Sequence, residues 1–132
     1  MVIDSSALLA VLFAEPGAES LLEAFASAER KIMSAANRLE AEIVMAARKG
    51  DPGSATLARF MAEADIDVIA FDSGQSEIAL DAWRRFGRDR HPASLNMGDC
   101  ATYALSRLTG QAILCTGEDF ALTDVAIRSF AP

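Results

Sequence analysis

Hydrophobic and polar positions along this chain switch repeatedly between two patterns. Short apolar, β-branched runs alternate with longer stretches in which apolar residues return every three to four positions. Val2 and Ile3 lead straight into Asp4, Ser5 and Ser6, and then into the apolar run 7–14. That order predicts a short buried strand, an acidic tip and a helix folded back over a sheet. Pro16 and Gly17 break the pattern, and Leu21, Leu22 and Phe25 sit at helical spacing within 18–28. A strand is expected over 31–33. Ser34 then caps a helix over 35–49 that stops at Gly50. Asp51 and Pro52 open a further helix to about 64, with Leu57, Phe60 and Met61 inward.

The clearest strand is 66–71. Asp72 or Ser73 starts the next helix, which carries Ile78, Ala82, Trp83 and Phe86 and ends at Gly87. A polar loop over 88–97, a helix over 98–108 ending at Gly110, a strand over 112–115, a loop over 116–124 and an edge strand over 125–130 complete the chain. Strands spaced too far apart for hairpins, with helices between, predict an α/β domain. Its central, mainly parallel sheet has about five short strands flanked by helices. No repeat, low-complexity tract or linker interrupts it, so residues 1–132 are expected to form one domain. In open sheets of this kind ligands collect beyond the carboxyl ends of strands.

Composition narrows the class. Apolar residues make up 52% of the 132 positions, enough for a real core, and 23% are charged. The run 7–14 is too short to span a membrane, and the N-terminus lacks the basic and cleavage-like features of a signal peptide, so a cytoplasmic protein is expected. A net charge of −7 argues against a general nucleic-acid coat protein. Cys100 and Cys115 lack disulfide-framework or zinc spacing and read as small buried hydrophobes.

The chemistry lies in the carboxylates. Asp4 alone is equally well a helix cap. Glu40 and Glu42 are two residues apart, about 200° around a helix, and cannot share a face. Glu40 falls in the row Ala36, Ile43, Val44 and Ala47, which reads as the apolar face, where a carboxylate needs a partner or a metal. Glu42 falls with Arg38, Met45 and Lys49 on the charged face, in i,i+4 reach of Arg38. Asp99 follows Gly98 at the start of a helix, where Asn96 is itself a candidate cap. Glu118 and Asp119 follow the strand over 112–115, and Asp124 is a further candidate. Three or four converging carboxylates without lysines would repel one another unless a hard cation, Mg2+ or Mn2+, lay among them. Such a site suits phosphodiester hydrolysis.

Four stretches carry a resemblance: 1–8 (MVIDSSAL), 34–40 (SAANRLE), 95–105 (LNMGDCATYAL) and 117–125 (GEDFALTDV). Together, in this order and nearly end to end, the chain resembles the PIN-domain ribonucleases of the VapC toxin family. The resemblance implies a Mg2+- or Mn2+-dependent endoribonuclease, the toxin half of a toxin–antitoxin pair. It also implies a homodimer neutralised by a VapB-type antitoxin. By position it assigns Asp4, Glu40 and Asp99 to the family's acids, Asp4 and Asp99 as metal ligands. Asp119 is preferred as the fourth acid, with the adjacent Glu118 in a supporting role. Ser6 matches the small hydroxyl of the first motif.

The one dense basic run, Arg84, Arg85, Arg88, Arg90 and His91, holds four of the twelve Lys and Arg residues and leads into the loop before Asp99. It is the candidate for RNA phosphate contact. The apolar surface of the first helices, including Leu8, Leu12, Phe13, Leu21, Leu22 and Phe25, serves either as plain core or as a dimer face or antitoxin groove. Two other readings rank lower. A haloacid-dehalogenase-like, aspartate-dependent phosphatase wants a second Asp where this chain has Ser6. It also wants a lysine at a suitable strand end, and the only lysines are Lys31 and Lys49. A non-catalytic PIN-like RNA- or partner-binding module would be favoured by failure to bind metal.

Overall fold

A computed structural model describes residues 1–130; the last two residues of the expected domain lie outside them. Strand β1 (Val2–Ile3) sits inside a parallel sheet of order β3-β2-β1-β4, between β2 (Lys31–Ser34) and β4 (Ile113–Leu114), with β3 (Ile66–Ile69) at one edge. Val2 lies opposite Ile32 and Ile113, and Ile3 opposite Leu114. Helices α1 (Ser5–Leu12), α2 (Ala18–Ser27) and α3 (Ala35–Glu63) precede β3; α4 (Ser73–Phe86) and α5 (Met97–Thr109) follow it.

Strand alternation divides the core in two. Ile3, Met33 and Leu114 face Leu8, Leu21, Phe25, Met45 and Leu57 of the first three helices. Val2, Ile32 and Ile113 face Ala82, Leu95, Tyr103 and Leu105 on the other side. Fully burying an aliphatic side chain of this size contributes roughly 1.5–3 kcal/mol, so the central strands are held from both faces. Their carboxyl ends then have a fixed position from which acids can project. Leu8, Leu21 and Phe25 of the early apolar surface are therefore core, while Leu22 stays 44% exposed.

Two expectations need correction. The sheet has four strands, not about five. Residues 125–130 make only an isolated bridge, Ile113 with Ile127, in which the Ile113 amide donates to the Ala126 carbonyl and the Ile113 carbonyl accepts from the Arg128 amide. The neighbouring β4 is two residues long and offers no longer ladder. The two helices expected on either side of residue 50 are present within α3, separated by a kink at Gly50 with φ 62° and ψ −154°, a conformation that favours glycine. Finally, the first half of α3 is turned by about one residue, roughly 100°, from the expected face. Asn37, Ala41 and Met45 are buried, whereas Ile43 is 59% exposed. Apolar residues lie on most sides of this helix, so periodicity did not choose between them. Packing against α1 did, with small Ala41 and long Met45 filling the space.

Trp83 also departs from the inward position expected of it; it is 41% exposed, and the buried side of α4 is Gln75, Ala79 and Ala82. Both cysteines are free and buried, as read from the sequence, and burial pushes their thiols up to about 11 for Cys100 and about 12 for Cys115. Neither is a reactive thiolate.

Candidate metal centre

Asp4 is both a cap and a buried acid. It leaves β1 with extended φ/ψ, and its Oδ2 accepts hydrogen bonds from the Ser6 amide at 3.0 Å and the Ser6 hydroxyl at 2.6 Å. Its Oδ1 accepts from the Thr102 hydroxyl of α5 at 2.6 Å. The Ser6 hydroxyl in turn accepts from the Thr116 amide at 3.1 Å, just beyond β4. Three elements thus fix one carboxylate, and Ser6 links the ends of two adjacent strands. Capping α1 occupies Oδ2 with two bonds, while Oδ1 accepts only one and keeps further acceptor capacity.

Glu40 projects from the flank of α3, half-buried, and its Oε1 accepts a hydrogen bond from the Ser5 hydroxyl. Glu42 points away and pairs with Arg38 at 2.8 Å on the surface, where such pairs contribute little. Asp99 occupies the first turn of α5 inside a capping box. The Asn96 side chain accepts from the Asp99 amide at 2.9 Å, and Asp99 Oδ2 accepts from the Asn96 amide at 3.0 Å. Asn96 therefore does not release Asp99; the two cap the helix together, leaving the other Asp99 oxygen without such a bond.

The Asp99 carboxyl is pushed up to about 6. Burial is the main cause; the Asn96 hydrogen bond opposes it, and the charges of Asp4, Asp119 and Glu40 raise it further. Asp119 lies in the exposed loop after β4, directly before a single 3-10 turn (Phe120–Leu122) anchored by buried Phe120. Its charge is felt at both Asp99 and Cys115, whereas that of Glu118 is felt at Cys115 and not at Asp99. Asp124 is elsewhere. It accepts from the Tyr103 hydroxyl at 2.7 Å and from Arg85 at 2.9 Å. Burial alone would raise its carboxyl, but these bonds hold it below the usual range.

The donor set fits a hard cation. All the groups are oxygens, and the three ion pairs among the described residues involve none of Asp4, Glu40, Asp99 or Asp119. Among the described residues no three such groups already stand at the mutual spacing of a formed ion site. A cation would therefore have to draw them together, offsetting the repulsion that lifts Asp99.

The basic run divides. Arg85 is held by Asp124 and, at 3.7 Å, by Asp81. Arg90 lies over the Trp83 ring at 4.5 Å. His91 Nδ1 accepts from the Ala93 amide at 3.0 Å, which shapes its own loop, and its ring meets Phe86 edge-on. Arg84 is exposed at the end of α4. Arg88 lines a groove of about 620 Å3 with Phe71, Leu80, Trp83, Met97 and Glu40.

Sequence reasoning passed over Thr102, Ser5 and this groove. Thr102 is three residues after Asp99, hence on a neighbouring row of the same helix, and Ser5 follows Asp4; those spacings were the available signals.

A family model described as PIN domain matches residues 1–126. A protein named Ribonuclease VapC from Mycolicibacterium smegmatis is 47% identical over 126 residues, covering 96% of this chain and 98% of that protein. Among solved structures, the fold is similar to that of VapC20 of Mycobacterium tuberculosis, titled a sarcin–ricin-loop-cleaving toxin. Its TM-score is 0.75 at 17% identity, over 91% of this chain and 92% of the other. It is also similar to a chain of VapBC2 from Rickettsia felis bound to a promoter DNA fragment. There the TM-score is 0.73 at 11% identity, over 98% of each chain.

Proposed function

The chain belongs to the PIN-domain family and, within it, to the VapC ribonucleases, and from that premise we propose that it is a Mg2+- or Mn2+-dependent endoribonuclease acting through Asp4, Glu40, Asp99 and Asp119. It is the toxin of a toxin–antitoxin pair, partnered by a VapB-type antitoxin. In this reading it is a single-domain, cytoplasmic homodimer. The observation that supports the chemistry is a set of four carboxylates on four segments of one molecule, with no cationic side chain among the described residues paired to any of them.

Asp4 and Asp99 would hold the ion directly, with Glu40 and Asp119 completing the acidic field and Glu118 in support. A divalent ion bound there supplies positive charge against the phosphate and makes water more acidic. The chain's own residues set the geometry. Ser6 and Thr102 lock the Asp4 carboxylate in one orientation, so Asp4 is the fixed wall toward which an ion would draw the other acids. Ser5 holds Glu40 by a single hydrogen bond. The capping box fixes the Asp99 backbone and one of its oxygens.

On the substrate side, Arg84, Arg85, Arg88, Arg90 and His91 form the proposed RNA contact. Arg84 and Arg88 carry most of it, since Arg85 is bonded to Asp124 and His91 to its own loop. Long-range attraction from these cations offsets the net charge of −7 that otherwise repels a polyanion.

Induced expression tests the function. Wild type is expected to arrest growth, and co-expression of a cognate VapB-type antitoxin should relieve the arrest. Expression with neither growth arrest nor altered cellular RNA would favour a non-catalytic module.

A further inference from the structure

Gly98 stands in the first turn of α5 with Glu40 where its side chain would be. A Cβ built on Gly98 would meet Glu40 Oε2 at 2.7 Å, Oε1 at 2.9 Å and Cδ at 3.1 Å. Its backbone does not need glycine on conformational grounds, for φ is not positive there. Alanine is also the better helix former. The glycine is explained by what lies against it.

Either the helix or the carboxylate would have to yield to a methyl group, and the surroundings decide which. The Asn37 side chain, fully buried on α3 one turn before Glu40, donates to the Gly98 carbonyl at 2.9 Å. The capping box binds Asn96 to Asp99 in both directions on either side of Gly98. The turn is thus tied to the helix that carries Glu40 and closed on itself. Glu40 is held at its tip by a single hydroxyl, that of Ser5, so the flexible carboxylate is what moves.

We propose that Gly98 is a positioning residue, the absence of a side chain in the first turn of α5 forming the seat that lets the Glu40 carboxylate lie beside Asp99, with Asn37 holding that seat in place. This rests on the reading of Glu40 and Asp99 as acids of the metal centre. It separates two consequences that usually travel together. Filling the seat leaves the fold intact and displaces one acid.

The test combines calorimetric Mn2+ titration, thermal melting and a crystal structure of Gly98→Ala. The variant should melt at or above the wild-type temperature, with the Glu40 carboxylate off the Ser5 hydroxyl and Mn2+ affinity lower by roughly 10- to 100-fold. In a Glu40→Ala background the same change should leave Mn2+ affinity unaltered, because the methyl group then meets nothing. An unmoved carboxylate, or an equal loss in both backgrounds, overturns the proposal. Wild type that binds no Mn2+ would instead overturn the nuclease reading, and the crystallographic position of Glu40 would still decide whether Gly98 seats it.

Discussion

Asp4→Asn should abolish RNA cleavage while leaving the protein folded. The carboxylate is the most constrained of the four acids, fixed by the Ser6 amide, the Ser6 hydroxyl and the Thr102 hydroxyl. Asparagine caps a helix as well as aspartate does. Its amide oxygen can accept from Ser6, and its NH2 group can donate to the Thr102 oxygen, so α1 and its link to α5 survive. What disappears is the negative charge. Charge stabilisation by a metal in the transition state contributes several kcal/mol, and each 1.4 kcal/mol is a factor of ten. The expected fall in kcat/KM is therefore about a thousandfold or more, with an unchanged circular dichroism spectrum. Full activity in this variant would remove Asp4 from the site.

Asp99→Asn should have an equally large effect on cleavage and an opposite effect on the stability of the metal-free protein. The Asp99 carboxyl lies near 6 in the folded chain against 3.8 ordinarily, chiefly through burial and then through Asp4, Asp119 and Glu40. The folded state thus binds this proton more tightly than the unfolded state does. The group's contribution is most favourable below 3.8 and becomes a cost as pH rises through 6. Metal-free wild type should accordingly gain melting temperature on acidification from pH 7 to 5. The variant, neutral throughout, should melt higher than wild type at pH 7.5 and lack that gain. Its amide can still accept from the Asn96 backbone, so the cap is kept.

Metal reverses the order. An ion at 100 times its Kd stabilises wild type by about 2.7 kcal/mol and should leave the variant almost unchanged. Protons compete with the ion for Asp99, so the Mn2+ concentration needed for half-maximal wild-type cleavage should rise as pH falls through 6. Melting curves at several pH values, with and without Mn2+, check all of this. A variant no more stable than metal-free wild type at pH 7.5 would mean that the acids do not strain the fold.

Much of this arrangement was legible in the chain. Val2-Ile3-Asp4 announced a central strand with an acid at its carboxyl end, and Gly98-Asp99 announced a helix start. Those signals are local, set by strand length and cap chemistry. The distinction between Glu40 and Glu42 was also reached, though on a misjudged face: Ile43, counted as core, is exposed, and Met45, counted as surface, is buried. The rotation of a helix that is apolar on most sides depends on its neighbours, which periodicity does not contain. The same limit explains Arg85. In sequence it belongs to a basic run; in space it closes a network with Tyr103 and Asp124, 39 residues further on. Thr102 reaches Asp4 across 98 residues, a contact that exists only once α5 is packed against β1.

The central claim is that these carboxylates act by holding a divalent cation. The most direct measurement is cleavage of a fluorescent RNA by the purified protein, first with Mg2+ or Mn2+, then after addition of excess EDTA, and again after the metal is restored. The predicted result is cleavage that stops with the chelator and returns with the metal. Cleavage that continues undiminished in EDTA would contradict the account.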